Sequence, residues 1–183
     1  DFASSALPEA AAIRRAFELT VVPIVNPDGN VRGRNAFTAE GLDMYRAFGD
    51  RPDAGEPEAH ESRLLWSWVR SRPPALWMNL HSYTGCRNNA EPPYDGWYEV
   101  PPEIFAEPAT RLRYRALCDA ARLLTDAPST ARSPARHGES TLCFQMAKRL
   151  GVPHLFYEVN NGTAGAHVGA RRGIAVLRAA LAA

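Results

Sequence analysis

Two residues interrupt strongly apolar runs and could do chemistry there. His81 closes the run Ala75–His81 and is followed by Ser82 and Tyr83. Glu158 lies inside Leu155-Phe156-Tyr157-Glu158-Val159. A carboxylate in so apolar a run costs on the order of several kcal/mol unless it is paired, protonated or near the end of its strand. Burial would raise its pKa toward neutrality, which suits a general base. The competing reading is a carboxylate paired with one of the chain's many arginines. A histidine at a strand end is either structural or a metal ligand, and spacing alone does not choose. The metal reading also needs partners, because a catalytic zinc takes three protein ligands and a water.

His154 lies four residues before Glu158. Four residues of strand span about 13 Å, so the two cannot share one metal ion. Arg32, Arg34 and Arg46 follow the first apolar run in a loop-like stretch. Guanidinium groups clamp carboxylates and stabilise developing oxyanions, although loop arginines also serve simply as solvated charges. His60, His137 and His167 occupy or border helices and read as incidental. Ser140 and Cys143 lack a nucleophile signature of the G-x-S-x-G kind, and no Gly-rich phosphate loop is present.

The elements that must position these residues follow from periodicity. Leu7–Phe17 reads as a short amphipathic helix. Glu18–Val25, rich in β-branched residues, reads as a buried strand running into a turn at Asn26-Pro27-Asp28-Gly29. Asn30–Asp53 has no clean period and reads as a long loop, a length that usually serves function. Pro57–Ser71 reads as a helix stopped by Arg72-Pro73-Pro74. Ala75–His81 is a second buried strand, and Ser82–Pro108 is loop-like. Ala109–Leu124 is a helix, Ala127–Gly138 a loop, and Glu139–Leu150 a helix ending at Gly151. Pro153–Val159 is a third strand and Ala166–Leu181 a closing helix. Helices alternating with strands too apolar for a wet face predict a sheet covered on both sides. Chemistry in such folds gathers where strands stop, here at Asn26, His81 and Glu158.

Length and composition fit one ordinary globular domain. The chain has 183 residues, 45% hydrophobic and 22% charged, with a formal net charge of +1. No global field favours nucleic acid or an anionic membrane. The longest apolar runs, such as Leu19–Val25, are far too short to span a bilayer. Localisation and oligomeric state are not legible. Cys86, Cys118 and Cys143 form no CxxC pair, which argues against a cysteine zinc site and leaves idle thiols or one disulfide.

Taken in order, the segments resemble the zinc carboxypeptidase family of the carboxypeptidase A type. Val21–Gly29 resembles the family's strand and NPDG turn. Gly41-Leu42-Asp43-Met44-Tyr45-Arg46 resembles its G-x-DLNR segment, and Glu56-Pro57-Glu58 its PE element. Leu80-His81-Ser82-Tyr83 resembles the strand bearing the third zinc ligand. Phe156-Tyr157-Glu158-Val159 resembles the strand bearing the catalytic glutamate. The match runs from about Leu19 to the C-terminus. It implies an α/β fold, a three-layer α/β/α sandwich around a mixed, mostly parallel central sheet, with residues 1–183 as one partial catalytic domain.

The resemblance also implies roles. His81 would bind one zinc ion, and Glu158 would be the general base that activates the attacking water and passes its proton to the leaving amine. Arg34, rather than Arg32, would stabilise the oxyanion. Arg46 would hold the substrate's terminal carboxylate, flanked by Tyr45, while Ser82 and Tyr83 would line the cleft. The implied substrate is a peptide or an N-acyl amino acid.

The sequence departs from the family in three ways. The family's H-x-x-E motif, which gives two zinc ligands, is absent: Arg63, Thr84, Ser140, Tyr157 and Ala170 stand three residues after the five histidines. Those two ligands are therefore expected upstream of an N-terminally truncated, by itself inactive, chain. Tyr45 replaces the Asn of DLNR, and no tyrosine lies between Tyr114 and Tyr157, where the family's mobile tyrosine belongs. A zinc amidase or deacylase acting on N-acyl amino acids, or an inactive peptide-binding relative, also fits these departures. Arg132 and Arg136 would favour acidic side chains if they point into the cleft.

Overall fold

The structure is a computed structural model. It describes residues 5–34, 36–48, 55–83, 96–124, 135–136 and 138–160, and toward the C-terminus 171, 174–175, 177–178 and 180–181. Among the described residues the elements run in order: α1 (Pro8–Ala16), α2 (Pro27–Val31), α3 (His60–Ser71), β1 (Trp77–Tyr83), β2 (Gly96–Glu99), α4 (Pro108–Leu124), β3 (Ala135–Arg136), α5 (Leu142–Leu150) and β4 (His154–Asn160). A single 3₁₀ turn, Pro102–Ile104, precedes α4. The described residues between 171 and 181 are helical, where the closing helix was expected.

The strands form one mixed sheet in the order β1-β4-β2-β3. β1 pairs with β4 in parallel, β4 with β2 antiparallel, and β2 with β3 in parallel. The expected mixed, mostly parallel α/β architecture is therefore present. Parallel neighbours need a crossover, and the long stretch from β1 to β4, holding α4 and α5, supplies it.

Side chains alternate across β4, and the alternation divides core from site. Leu155 and Tyr157 enter a buried cluster with Val100, Phe105, Tyr114, Leu117, Cys118 and Ala147. A second cluster joins Ala47, Phe48, Trp66, Val69, Met146 and Val152, tying the end of the 36–48 loop to α3 and α5. Fully burying an aliphatic or aromatic side chain contributes roughly 1.5–3 kcal/mol, so the first cluster anchors β4 through Leu155 and Tyr157. Tyr114 is fixed at its polar end too: Val100 N–H donates to its Oη at 2.9 Å, and burial raises its pKa.

Helix ends follow the sequence closely. Thr141 caps α5 by accepting from Phe144 N–H at 3.2 Å, and Gly151 closes it in the left-handed region at φ 65°. The helix therefore starts at Leu142 rather than at Glu139. α2 occupies the expected NPDG turn: Pro27 opens one helical turn, and Asn26 Oδ1 accepts from Gly29 N–H at 3.0 Å.

Three expectations are corrected. Glu18–Val25 is not a buried strand: no strand is formed there, and Val21, Ile24 and Val25 are exposed, Val21 by 76%. β-Branched composition gives a segment the capacity to pair but no neighbour, and Pro23 removes a ladder donor at its centre. Inside the expected loop Ser82–Pro108 lies β2, too short and too close to Gly and Pro residues for alternation to reveal it. β3, only two residues long, lies inside the expected loop Ala127–Gly138.

Candidate active site

The candidate site lies on β1 and β4 near their C-terminal ends. His81 and Glu158 are direct partners in the parallel register. Neighbouring strands run about 4.8 Å apart, so the sheet itself fixes the spacing of the two backbones. On the far side of Glu158, β2 contributes Gly96, a residue with no side chain. Glu158 is half-buried, and Oε2 is withdrawn from solvent.

His81 is exposed on one side and covered on the other by Phe156, two residues before Glu158 and on the same face of β4. The two rings stack with centroids 4.2 Å apart and 23° between their planes. Phe156 itself is only 3% exposed. Loss of water around the imidazole lowers the His81 pKa from its ordinary 6.5. The neutral form, which carries a lone pair for a metal or a proton, is thereby favoured.

Tyr45 reaches the same cluster from the 36–48 loop. Its ring meets Phe156 edge-on, with centroids 5.6 Å apart and 69° between planes. Asp43 sets this stretch of backbone: its Oδ1 accepts from Tyr45 N–H at 2.8 Å and from Arg46 N–H at 3.2 Å. Such Asx turns orient the two residues that follow. Arg46 is exposed beside Tyr45. Phe37 and Asp43 form an isolated bridge, and Thr38, fully buried, accepts at its Oγ1 from Leu42 N–H at 3.2 Å. Arg34 is exposed, with Nη1 3.5 Å from the Thr38 carbonyl oxygen.

The structure thus brings together His81, Glu158 and Tyr45, with Arg46 next to Tyr45 in the chain. It places Arg34 against its own loop. Ser82 and Tyr83 continue β1 beyond His81, but their side chains lie outside the described residues, as do Cys86, Arg132, the Arg136 side chain, His137 and His167. His154 is fully buried at the start of β4, 6.1 Å from the Tyr114 ring, away from the exposed end of the sheet. Cys118 and Cys143 are buried thiols and not half-cystines. Burial pushes Cys143 up to about 12, even though Asn79 Nδ2 donates to its sulfur at 3.5 Å. It is no nucleophile at neutral pH.

Sequence reasoning missed Phe156 and the turn made by Asp43. Phe156 reads as one more apolar residue, yet its parity with Glu158 puts it on the site face. An Asp two and three residues before the expected substrate contacts was a legible Asx signal.

The donors present bear on the zinc ion that the resemblance implies. One neutral imidazole beside a carboxylate suits part of a zinc centre. Among the described residues, however, no three His, Cys, Asp or Glu side chains gather to hold a metal ion. No described helix is long and apolar enough to cross a membrane.

No protein-family model matches the chain. Over 90 residues, 48% of its length, it is 23% identical to cytosolic carboxypeptidase 1 of Danio rerio, of which this covers 8%. A metallo-carboxypeptidase from Pseudomonas aeruginosa, solved in complex with (2-guanidinoethylmercapto)succinic acid, superimposes with a TM-score of 0.62 at 16% identity, covering 88% of this chain and 44% of that one. A succinylglutamate desuccinylase/aspartoacylase from Rhodobacter sphaeroides superimposes with a TM-score of 0.52 at 21% identity, over 87% of this chain and 43% of that one. The chain spans less than half the length of either solved structure. Its fold is that of the metallo-carboxypeptidases.

Proposed function

We propose that this chain carries the histidine donor and the general base of a zinc-dependent hydrolase that cleaves an amide bond next to a carboxylate. The observation that supports this most is the register: His81 and Glu158, from strands far apart in sequence, stand side by side near the open ends of β1 and β4. In this reading His81 donates one nitrogen to the metal, and two further ligands come from outside the described residues. Zinc, when bound, supplies a Lewis acid that polarises the scissile carbonyl.

The remaining roles belong to the chain's own side chains. Glu158 takes the proton of the attacking water and delivers it to the leaving amine, one group acting first as base and then as acid. Arg46 holds the substrate carboxylate, with Tyr45 beside it. Arg34 neutralises charge on the developing oxyanion, which requires its side chain to leave the Thr38 carbonyl. Ser82 and Tyr83 line the cleft. The substrate is a peptide cut at its C-terminus.

A second reading is a deacylase or amidase acting on N-acyl amino acids. Tyr45, standing where carboxypeptidases of this type carry Asn, favours it, and so does the fold likeness to a desuccinylase/aspartoacylase.

The test is zinc content and amide hydrolysis, measured on this chain and on a version extended upstream by an H-x-x-E-bearing segment. The extended chain should bind one zinc and release either C-terminal residues from peptides or acyl groups from N-acyl amino acids. Glu158→Gln should slow it by roughly 10²–10⁴-fold, and His81→Ala should abolish zinc binding. An extended, folded chain that neither binds zinc nor hydrolyses either substrate class would sink the proposal in favour of a peptide-binding relative.

A further inference from the structure

We infer that Phe156 is a positioning residue: it sets the plane of the His81 imidazole and is itself braced by Tyr45. The inference gains its functional meaning from the reading of His81 as a donor, but its geometry stands apart from that reading. Three rings from three segments meet in series. Phe156 stacks on His81 at 4.2 Å with 23° between planes, and Tyr45 meets the same Phe156 edge-on at 5.6 Å and 69°. The edge-on pair has a preferred aromatic geometry, and the His81–Phe156 pair is a closer stack.

The ring in the middle is the one least able to move. Phe156 is 3% exposed, and its neighbours along β4, Leu155 and Tyr157, are buried at 1% each on the opposite face. His81, by contrast, is exposed near the end of an outer strand of the described sheet. An exposed imidazole normally turns freely about its terminal torsion, which is broad and roughly two-fold. A lone pair is directional, so a donor that turns freely is a poor one. Donor histidines are usually fixed by a hydrogen bond from their second nitrogen. Here the flat face of Phe156, stacked on the imidazole, restricts the ring.

Tyr45 gives the arrangement a second consequence. Its backbone is held by Asp43, which also holds Arg46. A shift of the loop at 45–46 is therefore transmitted through one buried ring to His81, across segments that share no covalent path of useful length.

The experiment is proton–carbon NMR of the imidazoles in the full chain, with His81 assigned by His81→Gln. A proton over a neighbouring ring face is displaced upfield. The His81 Cε1–H or Cδ2–H resonance should be upfield of the other histidines, should stay there in Phe156→Tyr, and should move downfield in Phe156→Leu. Tyr45→Leu should give a smaller move in the same direction. Zinc affinity of the H-x-x-E-extended chain should fall by roughly tenfold in Phe156→Leu, and Phe156→Tyr should restore it. An unshifted His81 resonance in the parent chain overturns the inference. So does a Phe156→Leu spectrum that stays folded without moving it, or a Phe156→Tyr variant that loses the shift. A chain that shows the ring shift without ever hydrolysing an amide would sink the hydrolase reading alone. If Phe156→Leu unfolds, the Phe156→Tyr and Tyr45→Leu arms still decide.

Discussion

His81 gains its chemistry from what covers it. A ring with one face against Phe156 has less water to stabilise its positive charge, so its folded-state pKa lies below 6.5 while the unfolded chain keeps the ordinary value. The sign of the linkage follows. Between the two pKa values the unfolded state binds more protons, so stability falls as pH drops from 6.5 through the lowered value and is unaffected above 6.5. NMR titration of His81 should give a midpoint under 6.5, and Phe156→Leu should raise it; a midpoint at or above 6.5 in the parent chain would contradict the desolvated ring. The candidate residues were legible to different degrees. His81 and Glu158 announced themselves because a polar residue inside an apolar run is expensive and therefore informative. Phe156 did not, because an apolar residue in an apolar run carries no such signal, and its importance arises only when β1 is laid beside β4.

The turn at the start of α2 shows how an element can be specified by packing as well as by dihedral angles. Asn26 uses both ends of its amide: Oδ1 accepts from Gly29 N–H, and Nδ2 donates to the Phe37 carbonyl oxygen at 2.9 Å. A Cβ on Gly29 would stand 2.3 Å from Asn26 Nδ2 and 2.5 Å from that same carbonyl oxygen. The glycine is required by close approach. Gly29→Ala should therefore destabilise by about 1–3 kcal/mol, as an overpacked site does, and Asn26→Ala by about 1 kcal/mol through loss of the cap. Urea unfolding of both variants checks the order. A neutral Gly29→Ala would show that the loop joining α2 to Phe37 gives way easily. Helices were the most legible elements: α1, α3, α4 and α5 lie where periodicity puts them, within a few residues. Strands fared worse for a physical reason. A helix satisfies its own backbone, whereas a strand exists only if a neighbour does, which is why Glu18–Val25 looked like a strand and is not one, and why short β2 was hidden.

At the scale of the whole molecule, the same segment leaves apolar surface facing water. Leu19, Val21, Val22, Ile24 and Val25 are all exposed within one short stretch, and Leu80 is 53% exposed on β1. Contiguous apolar surface of this kind drives association. Sedimentation velocity over a range of concentrations should show the chain self-associating, and Val22→Lys with Ile24→Lys should reduce it. A monomer throughout would mean that this surface is covered in solution. The pairing of β1 with β4 has a further consequence, for time rather than for shape. His81 and Glu158 become neighbours only when a stretch of more than seventy residues has been closed into a loop, by a parallel pairing that no hairpin can nucleate. No single helix or turn among the described residues brings the two together. The candidate site therefore exists only while that long-range pairing is made, and it is lost whenever β1 and β4 part.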